Sequence, residues 1–405
     1  EGIGLVTLLR EILSTSATRI FASIVAGFVI GSLFIFFSAE DFIEGVGAGD
    51  AGAAIAGGFG AIGDGYSALF RGAILNLRAD GLVEMVKPLT ETIRFAGPLI
   101  AAGLGISLGF RVGLFNIGGN GQMMFGILWG TFVSTRMELP FGVHVLVAVL
   151  ATILGSAMLG ALVGYLKART GAHEVILTIM LNYISIYLFT WFIRTPELLL
   201  DPASTGSPRA QAPLETARLP QLFPETYSMH AGVFLVAFAV WFYWWLMERS
   251  SLGYQFRMVG FNPHAARTAG INVERTYVAA MFASAALVGV GAAHQTLGLE
   301  TGFTQSIHAG IGFDGITVAL LGGGNAIGIL FAGLLFGAFK AGGPQMQVIG
   351  VSAEVLGIIQ GAIVLFIAAP PLIRAIFRLP ALKSTPGIDR LRERILRRDK
   401  EVASS

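Results

Sequence analysis

A succession of long, uncharged apolar runs separated by short polar segments constrains this chain more than any other feature. Roughly 20 apolar residues cross a bilayer as a helix. The runs are continuous rather than alternating, which argues against a membrane barrel. Only 13% of residues are charged and 54% are hydrophobic, whereas soluble domains carry about 25% charged residues. The expectation is therefore an all-α fold, a polytopic transmembrane helical bundle of about ten spans. The spans are placed at roughly 18–39, 95–111, 115–135, 141–166, 174–193, 230–248, 276–298, 311–322, 325–342 and 353–373. The first is too long for a signal-peptide core and lacks a small-residue cleavage site, so it reads as an uncleaved anchor.

Lysine and arginine counts set the expected orientation, because cytoplasmic loops are enriched in both. With the N-terminus inside, the inner segments are 1–19, 111–114, 167–173, 249–275 and 374–405, and they hold two thirds of these residues. Ten spans then give N-in and C-in. Residues 1–380 form one membrane domain and 381–405 a basic cytoplasmic tail that could lie on anionic lipid. Two segments, 40–94 and 194–229, fall outside. The first is expected to hold a partial helix around Tyr66–Gly72. The second, with Pro196, Pro202, Pro208, Pro213, Pro220 and Pro224, cannot be one long helix and reads as a surface cap or a linker. Spans two to five and seven to ten enter from opposite sides, as an inverted repeat with broken helices requires.

Little in the sequence suggests catalysis. There is no GxxxxGK[ST] loop, and no cysteine. The histidines at 144, 173, 230, 264, 294 and 308 show no ligand spacing, so no metal site and no nucleic-acid partner are expected. The polar residues inside the apolar frame are more informative. Gly-rich backbone at membrane depth survives only when buried in protein or lining a wet cavity, and residues 113–122 are such a stretch. Its Asn116, Asn120 and Gln122 supply donors and acceptors without charge, which suits a neutral polyhydroxylated or amide-bearing solute. Packing and helix capping explain the same residues equally well. Asn182 is placed deep on the fifth span as a further pathway residue. Asp314 is either a helix N-cap or a polar group at the pathway mouth. Trp129, Trp191, Trp241, Trp244 and Trp245 lie near span ends, as aromatic belts do. The polar segment 249–275 carries Arg249, Arg257, Arg267 and Arg275 with a helical pattern around Pro263–Arg267. It is too structured for a simple turn and reads as a short cytoplasmic helix held by a partner.

Three stretches carry a family resemblance. They are Gly113-Leu-Phe-Asn-Ile-Gly with Gly121-Gln122, Gly260-Phe-Asn-Pro-His-Ala-Ala-Arg-Thr-Ala-Gly-Ile-Asn272, and Gly312-Phe-Asp-Gly-Ile-Thr-Val-Ala-Leu-Leu-Gly322. In this order they resemble the permeases of ABC importers for branched-chain amino acids, ribose and other simple sugars. The branch most similar is that of the nucleoside importers served by a basic-membrane-lipoprotein type binding protein. The resemblance implies a prokaryotic plasma-membrane permease with no cofactor of its own, ATP and magnesium being held by two ABC ATPase subunits. It further implies a second, identical or homologous permease and an extracytoplasmic binding lipoprotein that delivers the small-molecule solute. In such permeases a coupling helix sits in a cleft of the ATPase, and here it would comprise Asn262, Pro263, Ala265, Ala266, Arg267, Gly270 and Ile271. Gly119-Asn120 departs from the small-plus-acidic pair expected before Gly-Gln, so specificity can differ. A simple-sugar permease is the alternative within the class. An ion-coupled secondary transporter is the alternative outside it, and it leaves segment 249–275 unexplained.

Overall fold

The computed structural model describes residues 16–223, 227, 229–369, 371, 372 and 376. The expected basic tail over 381–405 lies outside the described residues. Among them the fold is helical, and pairing between extended segments is limited to isolated bridges. In chain order the helices are α1 (Ser16–Ser38), α2 (Glu40–Gly47), α3 (Ala51–Ala73), α4 (Leu82–Arg111), α5 (Gly119–Arg136), α6 (Val143–Thr170) and α7 (Glu174–Arg194). They continue as α8 (Gly232–Arg249), α9 (Ser251–Phe261), α10 (Pro263–Thr268), α11 (Val273–Leu297), α12 (Ile311–Leu321), α13 (Ala326–Val348) and α14 (Glu354–Ala368).

Each expected apolar run holds a helix among the described residues, but the number of spans is corrected. Among the described residues seven helices are long and apolar enough to cross a membrane: α1, α4, α6, α7, α8, α11 and α13. Helix α12 has 11 residues and α14 has 15. At 1.5 Å per residue these reach only roughly 16 and 22 Å, short of a hydrocarbon core of about 30 Å. Helix α5 has 18 residues but buries Asn120, Gln122, Thr131 and Ser134, which lowers its hydropathy. Seven is odd, so the placement of both termini on one side no longer follows from the count. The four-plus-four repeat loses its count for the same reason.

The chain divides into two compact units. In one, α1 up to Phe34 packs on α14 through Ala22, Ala26, Ala362 and Phe366. The other, Ile35–Ala353, is built around α4, most of whose membrane-length window is buried. Small residues let its neighbours approach closely, the usual device where apolar burial cannot drive helix association in lipid. A Cβ at Gly291 of α11 would lie 2.9 Å from the Pro98 carbonyl of α4. One at Gly337 of α13 would lie 2.7 Å from Ala96. Residues 40–73 hold more helix than expected. Asp50 caps α3, its carboxylate accepting the Ala53 N–H at 2.9 Å, and the Gly/Ala-rich stretch after it stays helical. The rings of Phe36, Phe37, Phe42 and Phe59 cluster beside it.

The proline-rich connection after α7 is bonded down onto the bundle. Leu214 N–H donates to the Ser134 carbonyl and Leu219 N–H to the Leu297 carbonyl. Ala217 and Leu219 join a core with Ala148, Val149, Ala293 and Leu297. Buried His144 ties it further, its Nδ1 lying 2.8 Å from Thr216 Oγ1. This cap marks one end of the unit, and α9 with α10 marks the other.

Candidate translocation and coupling sites

Between α4 and α5 the chain turns back into the bundle without helical structure. Gly113, at φ +79°, adopts the left-handed region that a side chain resists. The non-helical residues after it, 114–118, run into the interior with backbone groups that helical bonding does not serve. Asn116 and Asn182 satisfy backbone groups of this stretch, while Gln122 braces Asn116 and Asn120 serves the neighbouring α12. Asn116 Oδ1 accepts the Gly118 N–H at 2.9 Å, while its Nδ2 donates to Gln122 Oε1 at 3.1 Å and Ser284 Oγ at 3.0 Å. Ser284 Oγ donates in turn to the Gly105 carbonyl at 2.6 Å. Asn182 accepts the Gly121 N–H at 2.7 Å and donates to the Ile117 carbonyl at 3.0 Å. Asn120 Oδ1 accepts the Gly312 N–H at 2.8 Å. All four side chains are buried.

The structure thus gathers Asn116, Asn120, Gln122 and Asn182 into one network joining α4, α5, α7, α11 and α12. It also brings α5 and α12 together at their N-termini, where Gly119 lies against Gly312. Asp314 stands apart from this network. It caps nothing, because Gly310 precedes α12 and no side chain caps that helix. Instead its carboxylate pairs with Lys340 of α13 at 2.8 Å, and both groups are partly exposed.

At the α10 end, Arg111 closes α4 against two other elements. Its guanidinium donates to the Gly324 carbonyl at 3.1 Å and to Glu248 Oε1 at 3.0 Å. Tyr243 Oη donates to the same carbonyl at 3.0 Å and lies 2.9 Å from Ser107 Oγ. A cavity of about 430 Å³ opens beside Arg111, Tyr243, Glu248 and Gly324. Nearby, Lys167 and Glu174 bridge the turn between α6 and α7 at 2.8 Å.

Segment 249–275 forms two helices rather than a loop. Ser250 caps α9 through the Gly253 N–H. The α10 helix is then built from its own sequence. Asn262 Oδ1 accepts from His264 N and Ala265 N at 2.9 and 3.1 Å. Pro263 occupies the first turn, where its missing N–H costs nothing. Gly270, at φ +85°, ends the helix, with Ile271 N–H bonded to the Ala266 carbonyl and Gly270 N–H to that of Arg267. This is the paired C-terminal pattern that glycine favours. Asn272 then caps α11, and Arg267 bridges to Glu274 at 2.9 Å. Ala266 is the anchor, buried at 3% exposure, whereas Phe261 at the α9–α10 junction is 82% exposed. A rigid, doubly capped helix is therefore held out with an unpartnered aromatic ring beside it.

Sequence spacing also missed a contact at the cap end. His230 and His294 are far apart in sequence, yet their rings lie 4.6 Å apart between centroids.

A family profile described as the branched-chain amino acid transport system permease component matches residues 89–368. A guanosine ABC transporter permease protein of Bacillus subtilis is 35% identical over 317 residues, covering 77% of this chain and 87% of that protein. A nucleoside ABC transporter permease protein of Lactococcus lactis is 34% identical over 329 residues, covering 79% and 86%. A glucose ABC transporter permease protein of Haloferax volcanii is 30% identical over 289 residues, covering 69% and 75%. No solved structure matches the chain.

Proposed function

The chain belongs to the branched-chain amino acid transport permease family, and from that premise we propose that it is the translocating subunit of an ATP-driven nucleoside importer. It is a multi-pass protein of the prokaryotic plasma membrane. The observation that carries the solute assignment is the likeness to guanosine and nucleoside permeases over more than three quarters of the chain. The glucose permease likeness is shorter and lower. Family membership sets aside the ion-coupled secondary transporter.

In this reading ATP hydrolysis takes place on two ATPase subunits, a second permease completes the pore, and an extracytoplasmic lipoprotein delivers the solute. Helix α10 docks on the ATPase, with Asn262, Pro263, Ala265, Ala266, Arg267, Gly270 and Ile271 fixing its shape. Its rigidity supports this role, because a lever must move as a body. The Arg111–Glu248–Gly324 contacts link the neighbouring helix ends, so a shift of α9 and α10 reaches α4 and α12. The amide network around Asn116 and Asn182 then sets how the broken helices α5 and α12 move past one another and so opens the solute path. Asp314 and Lys340 lie at the outer part of that path.

Arg267→Glu places a second carboxylate beside Glu274 and reverses the charge offered to the ATPase. Uptake of labelled guanosine in cells should fall at least tenfold while the permease remains in the membrane. Normal coupled uptake in that variant rejects the docking role of α10. In the same cells, unlabelled uridine or adenosine should compete with guanosine and glucose should not.

A further inference from the structure

At the α10 end a groove of about 830 Å³ opens between α6 and α11, beside Tyr165, Arg169, Arg275, Val278 and Phe282. The two helices cross almost backbone to backbone. A Cβ at Gly160 would overlap the Met281 carbonyl, and one at Gly164 would lie 2.8 Å from that of Tyr277. The side chains that flank this crossing stand open, Tyr165 at 52% exposure and Phe282 at 40%. Tyr165 and Arg169 share one face of α6, and Arg275, Val278 and Phe282 share one face of α11. At 1.5 Å per residue, the arginines lie roughly 6 and 10 Å nearer the α10 end than the two rings. The groove is thus ordered along the bundle, cationic at its rim and apolar below.

The charges around the rim leave two cations over. Arg267 pairs with Glu274 at 2.9 Å and Lys167 with Glu174 at 2.8 Å. Among the described residues Arg169 and Arg275 join no ion pair. Arg169 lies over the Tyr165 ring, 5.9 Å from its centre. Arg275 stands in the first turn of α11, where the helix dipole favours an anion over a cation. The rim therefore offers two uncompensated positive charges and a helix start to one anion. A water-soluble ATPase would meet this rim but not the rings beneath it. A second permease would take two unpaired arginines out of water. An amphiphile with an anionic head and an apolar tail satisfies both parts at once. Basic pockets between spanning helices at the cytoplasmic face suit anionic headgroups, and tyrosine favours the headgroup level.

We propose that this groove is a phospholipid site, in which Arg169 and Arg275 hold the phosphate of an anionic headgroup and Tyr165, Val278 and Phe282 seat the upper part of an acyl chain. The site rests on the reading that puts α10 at the cytoplasmic face, where the inner leaflet supplies anionic lipid. It adds a lipid contact beside Glu274, through which α11 ties to α10.

Binding of radiolabelled phosphatidylglycerol to the complete importer in non-ionic detergent tests it. Saturable binding should be competed by unlabelled phosphatidylglycerol, and not by phosphatidylcholine or inorganic phosphate. Arg169→Gln and Arg275→Gln should each weaken it about fivefold and together about thirtyfold, the weight of basic side chains at an anionic lipid surface. The paired Arg169→Lys and Arg275→Lys variant, which keeps the charge, should retain most of it. Arg249→Gln removes a cation at the same end but outside the groove and should change nothing. Size-exclusion profiles show whether each variant assembles. Binding by the double glutamine variant equal to wild type overturns the site. So does an equal loss in Arg249→Gln, which marks a general surface attraction. Displacement by inorganic phosphate overturns the lipid as occupant, and a wild-type complex that binds no lipid overturns it because another subunit then covers the groove. Sidedness is read separately. The chain has no cysteine, so Ser251→Cys supplies a single thiol, which should resist a membrane-impermeant maleimide in intact cells. Labelling there refutes the cytoplasmic placement of α10, whereas lipid binding that ignores the arginines refutes the site alone.

Discussion

Replacing Asn182 with leucine tests whether the amide network holds the broken helices together. Leucine keeps the branching of asparagine and leaves no cavity, although its bulkier methyl group where Oδ1 stood 2.7 Å from Gly121 adds crowding to the loss. Two buried backbone groups lose their partners, the Gly121 N–H bonded at 2.7 Å and the Ile117 carbonyl at 3.0 Å. An unsatisfied buried group costs about 1–3 kcal/mol, so the pair predicts a loss of roughly 2–6 kcal/mol. Whole domains are stable by about 5–15 kcal/mol, which makes such a loss easy to detect. The adjacent residue is the control. Tyr183 is 60% exposed on the same helix, and Tyr183→Leu should leave stability within about 0.5 kcal/mol of wild type. The assay is thermal unfolding of the detergent-extracted complex followed by size exclusion, with ATP-driven uptake measured in parallel. Asn182→Leu should melt several degrees lower and transport poorly, while Tyr183→Leu does neither. An Asn182→Leu protein that melts with wild type would refute the argument, because the backbone at 117–121 would then be satisfied without this side chain.

Three further outcomes are expected. Gly312→Ala brings a Cβ within 2.6 Å of Asn120 Oδ1 and against the α5 backbone; crowding of this kind costs about 1–3 kcal/mol, measured by the same melting assay. Arg111→Ala removes a half-exposed pair with Glu248, so stability should change by less than about 1 kcal/mol, whereas uptake should fall because α4 loses its tie to Gly324. For His230 the folded value of about 4 lies below the ordinary 6.5, so protonation favours unfolding. Its contribution is level above pH 6.5 and is lost as pH falls from 6.5 towards 4, by at most about 3 kcal/mol. His230→Gln should flatten that part of the stability profile.

The apolar helices and the short helix around Pro263–Arg267 were legible in the sequence, because hydropathy and turn residues are local signals. Asn262, Pro263 and Gly270 announce the start and stop of α10 without reference to anything distant. The span count was not legible in the same way. A run of apolar residues shows burial but not length, and α12 and α14 are apolar yet too short to cross. Helix α3 was only partly visible, since its many glycines read as a break while Asp50 and the surrounding aromatic rings hold it helical. Asn116 and Asn182 stood out as polar residues in apolar surroundings. That Asn116 accepts the Gly118 N–H and Asn182 bonds the backbone of Ile117 and Gly121 depends on a turn at Gly113 that brings distant segments together. The pairing of His230 with His294 left no trace in spacing, because α8 and α11 meet only in the folded bundle. Asp314 looked like a cap from its position near a helix start, and Lys340, which pairs with it, lies on another helix.

The most direct test of the account is uptake of labelled guanosine by vesicles holding this chain with its ATPase, second permease and loaded binding protein. Uptake should require ATP hydrolysis and be competed by other nucleosides but not by ribose or glucose. Uptake of sugar without nucleoside, or nucleoside uptake that follows an ion gradient in the absence of ATP, would contradict it.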